Sequence, residues 1–146
     1  MNLKKLTEGK AYGFYVSVAM ILLSVITAIV YVACFAGEEK YHIMNYGAFA
    51  FMLIGAVAGI VLLVLKKYEW VPYILGGCAF IGLLLFIYGI YYYCSVVFVG
   101  IDLHEFSPES IINMILFFGT TILGVVNVFL PQIKKEKQEL VESEAK

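Results

Sequence analysis

The sequence predicts an all-α membrane protein, an antiparallel left-handed four-helix transmembrane bundle with both termini cytoplasmic. Three observations carry that expectation. The chain of 146 residues is 62% hydrophobic and 14% charged, whereas water-soluble domains run at about 45–50% and about 25%. Its mean hydropathy is +0.92. The charges are also segregated: residues 11–37, 43–65, 70–101 and 110–133 hold no Asp, Glu, Lys, Arg or His, and each run exceeds the ~18 residues that mark a candidate span. Within each run the polar and small residues recur at three- and four-residue steps, which places them on one side of a helix. Seams at that spacing suit left-handed packing at about +20°.

The first helix is expected over residues 11–36. Lys4, Lys5 and Lys10 precede it, as in a signal peptide, but the apolar run is too long for one and reads as an uncleaved span. Gly13, Ser17, Met20, Ser24, Thr27, Tyr31 and Cys34 form its seam. The second helix, expected over 44–66, carries Gly55 and Gly59 in a small-xxx-small pattern, on one face with Ala48 and Met52, and that pattern allows close backbone approach in lipid. Lys66 to Glu69 then make a tight turn. The third helix is expected over 70–94, with Pro72 in its first turn and Ala79, Gly82, Phe86 and Gly89 along its packing side. The whole uncharged run from Trp70 would make a helix of about 45 Å, so the span should end at the aromatic cluster Tyr91-Tyr92-Tyr93, with Ser95 to Val99 beyond the headgroups. The fourth helix, expected over 108–131, opens with Ser107 as cap and Pro108 at the first position. Asn113, Thr120, Gly124, Asn127 and Pro131 share one stripe of it. Pro131 removes a backbone donor and should kink or end the helix. Residues 1–133 thus form one transmembrane domain. The charged segment from Gln132 onward, 134–146 above all, reads as a cytoplasmic tail.

Lysine counts orient the bundle. Lys4, Lys5, Lys10, Lys66, Lys67, Lys134, Lys135 and Lys137 fall on one side and Lys40 alone on the other, which puts both termini inside a multi-pass plasma-membrane protein. Tyr12, Phe14, Tyr15, Trp70 and Tyr73 would form the inner aromatic belt, and Phe35, Tyr41, Tyr46 and Tyr91 to Tyr93 the outer one.

For function, the seams matter most. Ser17, Ser24, Thr27, Asn113, Thr120 and Asn127 either hydrogen-bond across helices or line a narrow hydrophilic path. Gly55, Gly59, Ala79, Gly82 and Gly124 are the packing residues. No Asp, Glu, His or Lys lies in the interior of a span, which argues against proton- or ion-coupled transport. No nucleophile–base arrangement, phosphate loop or nucleotide fingerprint is present, so no enzyme and no cofactor are expected. A net charge of −1 without a basic patch argues against nucleic acid. The partners expected are the lipid bilayer and a homo-oligomer or larger membrane complex. His42 and His104, on the acidic outer side, are weak metal candidates without ligand spacing. Cys34 and Cys94, at matching depth near the outer interface, could pair; free thiols are the favoured state. The favoured function is a non-enzymatic accessory or scaffold subunit working through its helix faces. The alternatives are a passive channel or facilitator for a small neutral solute, lined by the Asn/Ser/Thr stripes, and an outward-facing metal or redox sensor.

Overall fold

The computed structural model describes residues 12–37, 43–100 and 107–132. These form four α-helices, with no strand among them: α1 (Tyr12–Phe35), α2 (Tyr46–Val64), α3 (Val71–Phe98) and α4 (Pro108–Phe129). One 3₁₀ turn, Tyr68–Trp70, leads into α3. All four helices are long and apolar enough to cross a membrane. At 1.5 Å per residue they measure about 29 to 42 Å, against a hydrocarbon core of about 30 Å.

Each helix packs on the next and α4 closes back on α1, while α1 and α3 also meet across the centre. Residue pairings show that neighbours run antiparallel. Between α2 and α3, Gly55 meets Cys78, Gly82 meets Ala48, and Gly89 meets Ile43 ahead of α2. Between α3 and α4, Ala79 pairs with Thr121, Phe86 with Phe117, and Tyr93 with Ser107 just before α4. Glycine makes these approaches possible. A Cβ at Gly55 would stand 2.7 Å from the Cβ of Cys78, and one at Gly124 would stand 3.1 Å from the Cα of Gly76.

Local chemistry sets the helix ends, and it differs from the expected boundaries. α2 starts at Tyr46 because Asn45 caps it, its Oδ1 accepting from the Gly47 N–H at 2.9 Å. It stops at Val64, before Lys66 turns left-handed at φ 59°. α3 does not end at the tyrosine cluster. It continues as helix through Ser95, Val96 and Val97 to Phe98, since nothing in that stretch breaks it before Gly100 turns left-handed at φ 72°. α4 ends at Phe129, earlier than expected: Leu130 is already extended before the proline, and its N–H reaches the Asn127 carbonyl at 3.2 Å. Pro131 therefore lies off the α4 stripe, with its carbonyl accepting from the Gly13 N–H at 3.1 Å.

The core is apolar with a polar thread. Tyr31, Phe86 and Phe117 are fully buried. Phe86 and Phe117 stack at 4.4 Å, and Tyr31 meets both edge-on. Two residues expected in the outer aromatic belt instead face inward. Phe35 packs on Tyr31, and Tyr93 is buried with its hydroxyl accepting from the Ser107 N–H at 2.9 Å. Their helical positions coincide with the packed side, which outweighs the interfacial preference of the ring.

Candidate functional site

All six residues of the polar stripes, Ser17, Ser24, Thr27, Asn113, Thr120 and Asn127, are buried. Four of them meet across α1 and α4, Ser17 with Asn127 and Thr27 with Thr120, while Ser24 and Asn113 have no partner on another helix among the described residues.

At the end where α1 begins and α4 finishes, three side chains close a ring. Asn127 Nδ2 donates to Ser17 Oγ at 2.9 Å, Ser17 Oγ donates to Gln132 Oε1 at 3.1 Å, and Gln132 Nε2 donates to Asn127 Oδ1 at 3.3 Å. Ser17 Oγ also lies 3.3 Å from Asn127 Oδ1, but a hydroxyl has one proton and the shorter contact completes the circuit. The second Gln132 amide hydrogen goes to the Leu130 carbonyl at 3.2 Å. Bonds arranged head to tail in this way polarise one another. Gln132, assigned from the sequence to the solvated tail, is 7% exposed and belongs to the core. It arrives there because the chain turns at Leu130 and Pro131 and folds across the start of α1. Gly13 leaves the space for that turn: a Cβ there would lie 2.7 Å from the Pro131 carbonyl oxygen. Helical periodicity cannot reach past a proline, so the stripe gave no sign of Gln132. An amide directly after the last apolar run, without a charge, was the available signal.

In the middle, Thr27 and Thr120 approach across α1 and α4 at 3.2 Å between hydroxyl oxygens. Each also donates within its own helix, Thr27 to the Leu23 carbonyl at 2.8 Å and Thr120 to the Leu116 carbonyl at 2.7 Å. Thr121, one position on, faces α3, with its hydroxyl 2.9 Å from the Phe117 carbonyl and 3.3 Å from the Ala79 carbonyl. Ser24 is buried between these levels and makes no hydrogen bond to another helix among the described residues.

Toward the other end stands Asn113. Its Nδ2 donates to the Glu109 carbonyl of its own helix at 2.9 Å, and its Oδ1 is buried with no partner. The pairings on either side, Phe117 with Phe86 and Ser107 with Tyr93, bracket it at the depth of the aromatic core. An amide left half-bonded there carries a desolvation cost of about 1–3 kcal/mol.

The same end holds a second lock that the stripes did not announce. Tyr31 donates its hydroxyl proton to the Ile43 carbonyl at 2.8 Å and accepts from the Asn45 N–H at 2.7 Å. Asn45 Nδ2 then reaches the Leu85 carbonyl on α3 at 3.1 Å. One phenol and one amide thus tie α1, the start of α2 and α3.

The packing residues Gly55, Gly59, Ala79, Gly82 and Gly124 are all buried at helix contacts. Gly59 receives Ile21 and Leu75, Gly82 receives Met52, and Gly124 receives Met20. Cys34, Cys78 and Cys94 are free thiols. His42 and His104 lie outside the described residues, and no three His, Cys, Asp or Glu side chains gather into a metal-binding group among the described ones. Chemically the seam offers amides and hydroxyls, which can donate and accept hydrogen bonds. No family model matches the chain, and neither a curated protein nor a solved structure matches it.

Proposed function

We propose that this chain is a small non-enzymatic integral membrane protein that serves as an accessory or scaffold subunit, through the outer faces of a rigid bundle. In this reading the helices pack with left-handed crossings, and both termini lie on the cytoplasmic side, as the lysine distribution favours. The membrane is the plasma membrane, and the partner is a second copy or a larger membrane complex. The observation that carries the reading is that the protein itself satisfies most of the seam: Ser17, Asn127 and Gln132 satisfy one another across helices, and Thr27 and Thr120 donate to carbonyls of their own helices. Polar groups bonded to each other across helices act as glue and leave the outer faces as the surface through which the protein works. Clefts formed by the described residues open at the two ends and between α3 and α4, and Asn113, Thr120 and Asn127 line none of these.

Affinity capture of the tagged protein from several mild detergents is expected to yield a homo-oligomer or a partner in fixed ratio. A clean, partner-free monomer throughout would defeat the proposal.

One observation favours the passive facilitator for a small neutral solute: the buried, unpartnered Asn113 Oδ1 is an acceptor that a passing donor would use. Solute flux in proteoliposomes distinguishes the two readings. Asn127→Leu opens the polar ring, and flux that it leaves unchanged removes the facilitator.

A further inference from the structure

A cleft of about 600 Å³ lies where α3 starts and α4 ends, with Glu69, Trp70 and Tyr73 on one wall and Val128, Leu130 and Gln132 on the other. Three features of it point to the same ligand chemistry. The Glu69 side chain is exposed and makes no hydrogen bond or ion pair with the described residues. Trp70 and Tyr73, 62% and 58% exposed, line it with ring centroids 6.4 Å apart and planes tilted by 59°, and aromatic faces attract cations. The end of α4 supplies the third. The Leu130 N–H is used by Asn127 and Pro131 has none, so the carbonyls of Val128 and Phe129 receive no backbone donor from the described residues. A helix C-terminus left in this state carries partial negative charge.

A carboxylate, two aromatic rings and a helix C-terminus thus border one cleft, and each of them attracts a cation. The location identifies its source. The cleft sits at the ends of two spans, at the level where Trp and Tyr mark the headgroup region. Its α4 wall continues into lipid-facing surface, with Phe129 82% exposed. Lys66 and Lys67 stand exposed, with Tyr68 between them and Glu69 in the chain, suited to the phosphate of the same headgroup. We propose that this cleft binds a phospholipid whose headgroup ends in an ammonium group, of the phosphatidylethanolamine class. Glu69 and the α4 carbonyls receive the ammonium, Trp70 and Tyr73 flank it, and the acyl chains descend along α4. This inference rests on the four spans alone and does not depend on the scaffold role, so a failed partner capture leaves it standing.

The test is native mass spectrometry of the full-length protein in mild detergent, titrated with phosphatidylethanolamine or with phosphatidylglycerol of the same acyl chains. One phosphatidylethanolamine should be retained per chain, with a preference of about fivefold or more over phosphatidylglycerol. Glu69→Gln and Trp70→Leu should each abolish most of that preference. Glu69→Gln should leave the thermal unfolding midpoint unchanged, because the carboxylate bonds to none of the described residues. Equal retention of the two lipids, stronger binding of phosphatidylglycerol, or a preference that survives both substitutions would overturn the proposal.

Discussion

Asn113 and Asn127 stand two heptads apart on the same stripe of α4, both fully buried, and their surroundings treat them oppositely. Asn127 gives a proton to Ser17 and takes one from Gln132. Asn113 folds back onto the Glu109 carbonyl of its own helix, and its oxygen meets nothing. The difference comes from the material at each depth. At the level of Asn127, α1 offers a serine, and the chain beyond Pro131 delivers an amide. Beyond Asn113 toward the helix middle lies the aromatic cluster of Tyr31, Phe86 and Phe117, whose one hydroxyl is already committed to Ile43 and Asn45. A buried amide is therefore a lock where a partner is supplied and a cost where it is not.

That contrast is strongest under substitution. Asn127→Leu takes away the donor to Ser17 Oγ and one of the two acceptors of Gln132 Nε2, leaving the Ser17–Gln132 and Gln132–Leu130 bonds, and should destabilise the bundle by about 2 kcal/mol, read as a lowered midpoint of unfolding in a detergent titration. Asn113→Leu removes an unsatisfied acceptor and one bond within its own helix. Its effect should lie within about 0.5 kcal/mol of zero, with stabilisation an acceptable result. Equal losses from the two substitutions would mean that the Asn113 oxygen is bonded after all, and the comparison would collapse.

Gln132→Ala should fall between these extremes, at about 1 kcal/mol, and it sharpens the comparison by asking where the satisfaction of Asn127 originates. Combined with Asn127→Leu it should cost less than it does alone, because only the bond to Ser17, of its two in the ring, then remains. Fully additive effects would show that Gln132 is held by the Leu130 carbonyl and the turn alone. Gly13→Val approaches the same joint through the backbone. Its side chain would occupy the space taken by the Pro131 carbonyl and the Gln132 amide, so it should reproduce most of the Gln132→Ala loss.

The four helices were legible because charge is absent from four long runs and present between them. The faces were legible because α1 and α4 repeat their polar residues at the helical period. What stayed hidden lies where periodicity stops. Gln132 follows a proline; Asn45 precedes a helix and acts as a cap; Gly76 became visible only when its backbone met Gly124. The end of α3 was misplaced for a different reason: three tyrosines suit an interface, yet the chain there has no residue that stops a helix until Gly100. Asn113 shows the remaining limit. Spacing told which side it faced, and could not tell that the neighbouring helices would bring no donor to its oxygen.

The smallest effect is expected at the middle of the seam. Thr27 and Thr120 are 3.2 Å apart, which reads as a cross-helix bond. Two hydroxyls own two protons, and three contacts compete for them: the Leu23 carbonyl at 2.8 Å, the Leu116 carbonyl at 2.7 Å, and each other. The carbonyl contacts are the shorter ones and belong to each residue's own helix, so the cross-helix bond is made only when one of them is given up. Thr120→Val should then cost less than the ~0.6 kcal/mol average for a hydrogen bond between membrane helices, and Thr27→Val likewise. The double substitution should be no worse than the sum of the two. A coupling energy above about 0.5 kcal/mol in that cycle would show that the two hydroxyls prefer each other to their carbonyls, and would make the centre of the seam a second lock equal in kind to the ring at Asn127.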